Sequence, residues 1–200
     1  MIKNIIFDFG DIFINLDKSA TNKAFNKLGI YTVTEDLMLL FKAYEKGEVS
    51  TEDFILFFTS KYTLQKEEIV SAWNAILLDF PLHRLVFLKT LFESKKYKLF
   101  LLSNTNDLHI TSIKNSWGEA LYADFKNCFE QFYLSHEIHL RKPDTSIFEF
   151  VLKENKLLPE ETVFIDDVSE NTKAAGKLGI QTWNLIPGKE DITQLLTKIN

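Results

Sequence analysis

Three apolar runs in this chain end in residues of the kinds that handle phosphate and metal. IKNIIF (2–7) runs into Asp8, KLFLL (98–102) into Ser103-Asn104, and TVFI (162–165) into Asp166-Asp167. Lys142 lies in a loop just before a helical pattern. One site could thus collect three carboxylates, a hydroxyl, an amide and an ammonium. That set suits phosphoryl transfer. A phosphate monoester carries about two negative charges near neutral pH, and carboxylates alone would repel it. A divalent cation between the carboxylates reverses the local field and polarises a phosphoryl oxygen. Magnesium is suited to a few carboxylates, waters and a substrate oxygen. Lys142 adds positive charge on the other side of the phosphate, and Ser103 and Asn104 can donate hydrogen bonds. An aspartate can attack phosphorus to give an aspartyl-phosphate that water then cleaves.

The elements that must position these residues follow from hydrophobic period. Short continuous apolar runs alternating with helical patterns predict a parallel sheet covered on both faces. Helices are expected over 82–95, 144–155, 169–178 and about 189–198, with irregular helix over 105–128 and a further strand over 131–135. QTWNLI (181–186) is the last strand candidate. Ligands bind outside the carboxyl ends of such strands, where Asp8, Ser103-Asn104 and Asp166-Asp167 fall. From about 17 to 80 the spacing is helical throughout, with breaks at Gly29, at Gly47 and near Thr63. The expected fold class is α/β: a Rossmann-like, three-layer α/β/α core over 1–14 and 82–200, interrupted at 15–81 by an inserted four-helix cap.

Composition narrows the partners. Of 200 residues, 46% are hydrophobic and 26% charged, enough apolar material for a core and too much for a disordered chain. The net charge of −5 offers no basic field for nucleic acid or an anionic membrane. Cys128, the single cysteine, cannot form an intrachain disulfide, which fits a reducing cytoplasm. The N-terminal apolar stretch meets Asp8 too early for a signal peptide, and no window approaches a membrane span of about 18 apolar residues. The expected partner is a small phosphorylated metabolite, and the protein is expected to be a cytoplasmic monomer or weak homodimer.

The quoted residues resemble the four motifs of the haloacid dehalogenase-like superfamily. FDFGD (7–11) looks like the first, LLSNT (101–105) the second, RKP (141–143) the third and FIDDVSEN (164–171) the fourth. The insert at 15–81 stands where the C1 cap of that superfamily belongs. YEKGEVSTEDF (44–54), LLSNTNDLH (101–109) and YLSHEIHLRKPDTSIF (133–148) resemble the alpha-D-glucose-1-phosphate phosphatase subgroup. The resemblance implies a magnesium-dependent phosphatase. Asp8 would be the nucleophile and a metal ligand, and the Gly10 carbonyl a second ligand. Asp167 would ligate the ion directly and Asp166 through water, with Asn171 supporting them. Ser103 and Asn104 would bind phosphate, with Gly10 and Asp11 also lining the substrate site, and Lys142 would orient Asp8 and neutralise the phosphoryl charge.

The first motif departs from the superfamily pattern, which carries a proton-shuttling Asp two residues after the nucleophile. Here that position is Gly10. Alternation puts Asp11 on the opposite side unless the backbone bends at Gly10. The glucose-1-phosphate subgroup also carries Gly here, and an anomeric sugar oxygen leaves more easily than a simple alkoxide. A sugar phosphate such as a hexose 1-phosphate is therefore the expected substrate. Phosphoglucomutase-like transfer and a non-catalytic phosphosugar-binding module are the alternatives. The paired acids Asp166-Asp167 argue against a dehalogenase, which needs no metal. His136 and His139 lack the spacing of a zinc helix. Tyr44, Glu45 and Lys46 precede Gly47 at a helix–helix turn that reads equally as a plain surface turn or as a substrate lid. The helical-period aromatics read as core.

Overall fold

Strands β1 (Asn4–Phe7), β2 (Lys98–Ser103), β3 (Gln131–Leu134), β4 (Thr162–Asp166) and β5 (Gln181–Asn184) form one sheet, ordered β3-β2-β1-β4-β5. All four neighbouring pairs are parallel. The computed structural model describes residues 1–199. β1 and β4 are buried along their whole length and β2 everywhere but Lys98, as their unbroken apolar runs predict. The edge strands β3 and β5 carry exposed residues, which blunts an otherwise sticky margin.

Period-two alternation sorts the strand residues into two apolar layers. Ile5, Phe7, Leu99, Leu101, Val163 and Ile165 face α5 (Leu82–Glu93), α6 (Asp107–Trp117) and α7 (Glu119–Lys126). Ile6, Phe100, Leu102 and Phe164 face α9 (Thr145–Asn155) and α10 (Ser169–Gly176). This is the expected three-layer α/β core. After β2 and β3 the chain crosses back over β1 to lay down β4 and β5 on its other side. The order therefore reverses at the central strand, and a ligand crevice opens at the carboxyl ends there.

Between β1 and β2 the chain forms α1 (Ala20–Lys27), α2 (Glu35–Glu45), α3 (Thr51–Tyr62) and α4 (Lys66–Asn74). Thr34 and Ser50 cap α2 and α3 by accepting the Leu37 and Asp53 N–H groups. The four helices share a cluster of their own around Phe25, Tyr44, Phe54, Phe58 and Trp73, joined from the core by Leu108. Tyr44 stacks on Phe54 with ring centroids 4.2 Å apart, and Phe54 lies 4.8 Å from Trp73. The helical-period aromatics are thus packing, and Cys128 is buried with its thiol donating to the Asp124 carbonyl.

Some boundaries differ from the sequence expectation. The stretch after Asn106 resolves into α6 and α7, separated at Gly118 with φ +78°. β3 stops at Leu134, and α8 (Ser135–Ile138) follows at once. Pro143 sits in the turn before α9, whose N-cap position is Asp144. The final helix expected from 189 begins only at Ile192, as a 3-10 turn leading into α11 (Leu195–Lys198). Asp191 starts that turn by accepting the Thr193 N–H, and Gly188, at φ +76°, turns the chain before it.

Candidate active site

Strand register brings the sequence motifs together. Phe7 pairs with Leu101 on one side and with Ile165 on the other, so the next residues along each strand are neighbours. The Asp8 N–H donates to the Ile165 carbonyl at 2.9 Å, which fixes Asp8 beside Asp166. Asp8, Asp166 and Asp167 each present a carboxylate oxygen within 4.8 Å of the others.

Lys142 enters this cluster from the loop before α9. It is 1% exposed, and its ammonium donates to Asp8 Oδ1 at 2.6 Å and Asp166 Oδ2 at 2.7 Å. Asn104, at the end of β2, holds the Lys142 main chain from both sides. Its Nδ2 donates to the Lys142 carbonyl at 2.8 Å and its Oδ1 accepts the Lys142 N–H at 2.9 Å. The Asn104 side chain thus aims Lys142, where sequence reasoning assigned its amide to phosphate. Ser103 is buried beside it.

The paired acids have unequal surroundings. Asp166 is fully buried and its oxygens are committed: Oδ1 accepts the Val168 N–H at 2.7 Å, and Oδ2 accepts from Lys142 and from Asn171 Nδ2 at 2.9 Å. Asn184 on β5 fixes their main chain, donating Nδ2 to the Asp166 and Asp167 carbonyls. Asp167 meets instead the ammonium of Lys18, from the loop that leads into α1. Lys18 also lies 3.2 Å from Asp11 Oδ2. Burial, with the neighbouring acids, raises Asp8 to about 7 against the pull of Lys142. Burial likewise pushes Asp167 up. Burial would lower Lys142, but Asp166 and Asp8 outweigh it and hold the ammonium above its usual range.

The backbone does bend after Asp8. Asp11 takes φ +55°, and its Oδ1 accepts the Leu16 N–H at 3.0 Å. Its carboxylate is tied to the loop and to Lys18. Gly10 leaves no room for the missing acid as the side chains stand, because a Cβ there would meet Leu16 Cδ1 at 2.6 Å.

The helical insert reaches the rim of this site through the turn after α2, which is docked and is no plain surface turn. Ser135 Oγ donates to the Glu45 carbonyl at 2.5 Å and accepts the Thr105 N–H. His139 Nδ1 bonds the Lys46 carbonyl, and Arg141 holds the Glu45 carboxylate through both Nε and a terminal nitrogen. The Tyr44 hydroxyl accepts the Leu108 N–H, and Trp73 Nε1 donates to Asn106 Oδ1. Among the described residues the side chains grouped closely enough to hold a metal are Asp8, Asp166 and Asp167, and neither His136 nor His139 belongs to that group. Lys18, Asn184 and Ser135 were not singled out from the sequence, nor was the pairing of Glu45 with Arg141. They are ordinary polar residues in loops, at helix ends or on an edge strand, and only the fold gives them partners.

Comparison with known proteins agrees with this geometry. The family model of haloacid dehalogenase-like hydrolases matches residues 5–185. The chain belongs to that family. It is 30% identical over 206 residues to the D-ribitol-5-phosphate phosphatase of Bacteroides thetaiotaomicron, with 98% of this chain and 99% of that protein covered. It is 28% identical to the glyceraldehyde 3-phosphate phosphatase of Methanocaldococcus jannaschii, covering 94% of this chain and 87% of that protein. Among solved structures it is similar to a HAD-family enzyme of B. thetaiotaomicron in complex with magnesium. That match has a TM-score of 0.86, 34% identity and 98% of each chain covered. A variant of that enzyme, bound to magnesium and inorganic phosphate, matches with TM-score 0.86 and 33% identity over 98% of this chain and 99% of that one. With such relatives this hydrolase stands among the phosphatases of the family. Three hard oxygen donors within 4.8 Å, carrying more negative charge than the single buried lysine balances, fit magnesium as the cofactor. No helix among the described residues is long and apolar enough to cross a membrane.

Proposed function

We propose that this hydrolase removes phosphate from a small phosphorylated sugar or sugar alcohol through an aspartyl-phosphate on Asp8. The observation that carries the reading is the Asp8–Lys142–Asp166 arrangement at the end of the central strand, with Asp167 beside it. Magnesium, when bound by Asp8, Asp167 and the Gly10 carbonyl, supplies positive charge against the phosphoryl oxygens. Lys142 holds Asp8 by one oxygen and leaves the other for attack on phosphorus. The P–O bond to the leaving group breaks as the Asp8–P bond forms. The Ser103 hydroxyl and the main-chain N–H of Asn104 are the donors we assign to the phosphate. Water then cleaves the acyl phosphate and regenerates Asp8.

Gly10 supplies no acid and Asp11 is tied to Leu16 and Lys18, so the leaving oxygen takes its proton from water or departs as the anion of a stabilised alcohol. The missing shuttle weighs against a mutase, which must move a proton in both directions. It favours a hexose 1-phosphate. The whole-length likeness to a ribitol phosphatase favours a linear polyol phosphate. The insert over 15–81 acts as the cap that closes on either and limits them to small molecules.

The test is phosphate release from a panel of sugar 1-phosphates and terminal polyol phosphates, with magnesium and with chelator. Magnesium-dependent release that Asp8→Asn abolishes is the expected result, and the best substrate ranks the two classes. Release that survives Asp8→Asn would overturn the covalent mechanism. Binding without release from any ester would leave a phosphosugar-binding module.

A further inference from the structure

Two lysines meet the four carboxylates at this end of the sheet, and their settings are opposite. Lys142 is 1% exposed at its side chain, locked between Asp8 and Asp166, with its main chain clamped by Asn104. Lys18 is 55% exposed at its side chain and grips Asp167 from outside. Its main chain is anchored nearby, because the Asp17 N–H donates to the Ile76 carbonyl and the Asn15 N–H to the Asp79 carbonyl. A long side chain on a fixed backbone can therefore leave Asp167 without disturbing the fold. Asp11 gives the departing ammonium a place to stay. Its carboxylate is pinned by Leu16 and stands 3.2 Å from Lys18.

We infer that Lys18 is an exchangeable counter-ion that competes with the divalent cation for Asp167. The inference rests on the metal reading given above. Of the paired acids, Asp166 is committed to Lys142, Asn171 and the Val168 N–H, whereas the Asp167 carboxylate has Lys18 as its one side-chain partner among the described residues. A divalent ion at Asp167 repels an ammonium held on the same carboxylate, and of the two lysines only the half-exposed one is free to move away. Lys142 is buried and cannot leave, and Lys18 can. Four carboxylates against two ammoniums leave a deficit of two positive charges. A divalent ion fills that deficit, and displacing Lys18 from Asp167 to Asp11 keeps the ammonium within the site. Lys18 thereby sets how tightly magnesium is held and keeps Asp167 neutralised in the metal-free enzyme.

The experiment is calorimetric titration of the metal-free full chain with magnesium at low ionic strength. Wild type is compared with Lys18→Met and Lys18→Gln, and with Lys23→Met as the control for net charge. Lys23 lies 4.0 Å from Asp17, with its side chain 68% exposed. Removing the competing ammonium should tighten magnesium binding roughly three- to tenfold, the scale an ion pair half open to water supports. The gain should shrink as salt is added, and Lys23→Met should bind as wild type does. Equal or weaker binding by both Lys18 variants overturns the inference alone, as does an equal gain from Lys23→Met. No binding by any of the proteins overturns the metal reading and this inference with it.

Discussion

Lys142→Met is the substitution whose cost the structure defines most closely. Methionine keeps the length of the side chain and removes its charge. Asp8 then loses the ammonium at 2.6 Å while staying buried beside Asp166 and Asp167. Asp166 is left better off, since the Val168 N–H and Asn171 still reach it. The penalty therefore falls on Asp8, and it is fully felt only above the value of about 7 to which burial raises that carboxyl, so the comparison is made near pH ~9. Breaking a buried pair by removing one partner costs about 3–5 kcal/mol, a large part of a total that is typically only ~5–15 kcal/mol. For a chain of this length that corresponds to a fall in Tm of very roughly 6–20 °C. The assay is urea and thermal unfolding in chelator for wild type, Lys142→Met, Asp8→Asn and the double variant. In the Asp8→Asn background there is no stranded carboxylate, so the lysine change should cost less, with a coupling of about 1–3 kcal/mol. Magnesium, added at ~100 times its dissociation constant, returns about 2.7 kcal/mol to any form that binds it only when folded. It should raise wild type and Lys142→Met alike, so the gap between them narrows only by the extent to which the variant binds the ion more tightly. A single variant that unfolds within about 1 kcal/mol of wild type in chelator, or a cycle with no coupling, would refute the account of Lys142 as the counter-ion that makes a buried Asp8 tolerable.

Two further outcomes follow from the same geometry. Gly47 takes φ +65° in the docked turn, and a Cβ there would lie 2.1 Å from the His136 carbonyl oxygen. Gly47→Ala should push the turn away from α8 and raise KM for the best substrate by about tenfold, equivalent to ~1.4 kcal/mol; an unchanged KM would show that the turn does not contribute to substrate binding. At the far end of the chain, partial burial raises Asp191, but the Thr193 N–H, His83 and Arg84 outweigh it and hold the carboxyl at about 2. A carboxylate depressed on folding stabilises above its unfolded value and loses that contribution as pH falls toward the folded one. Wild type should exceed Asp191→Asn by on the order of 1 kcal/mol near neutrality, allowing for solvent screening. Urea unfolding should find that gap closing from pH 4 downward, and a gap that persists at the acid end would mean packing, not charge, explains it.

What could be read from the sequence was whatever depends on nearest neighbours along the chain. Asp8, Ser103 and Asp166-Asp167 are legible because each directly follows an apolar run, and polar residues at the carboxyl end of a buried parallel strand line the ligand crevice there. The insert is legible because its period changes at one point and changes back at another. The unread parts all join residues far apart in the chain. The Asn104 side chain finds its partner only when the loop at Lys142 folds against it, 38 residues on, and takes both ends of its amide. Glu45 and Arg141 are 96 residues apart and have no pattern in common. Lys18 is the sharpest case. Its position depends on the bend at Gly10–Asp11, which flips Asp11 into a positive-φ turn, and on the pairing of residues 15–17 with 76–79 at the close of the insert. The glycine that reads as the loss of an acid is thus also what leaves room for Leu16, and the Asp11 that follows it both caps the Leu16 N–H and faces Lys18. A substitution restoring Asp at position 10 would therefore have to turn the end of the Leu16 side chain aside, and its carboxylate would add to the acids that Lys18 and Lys142 already face.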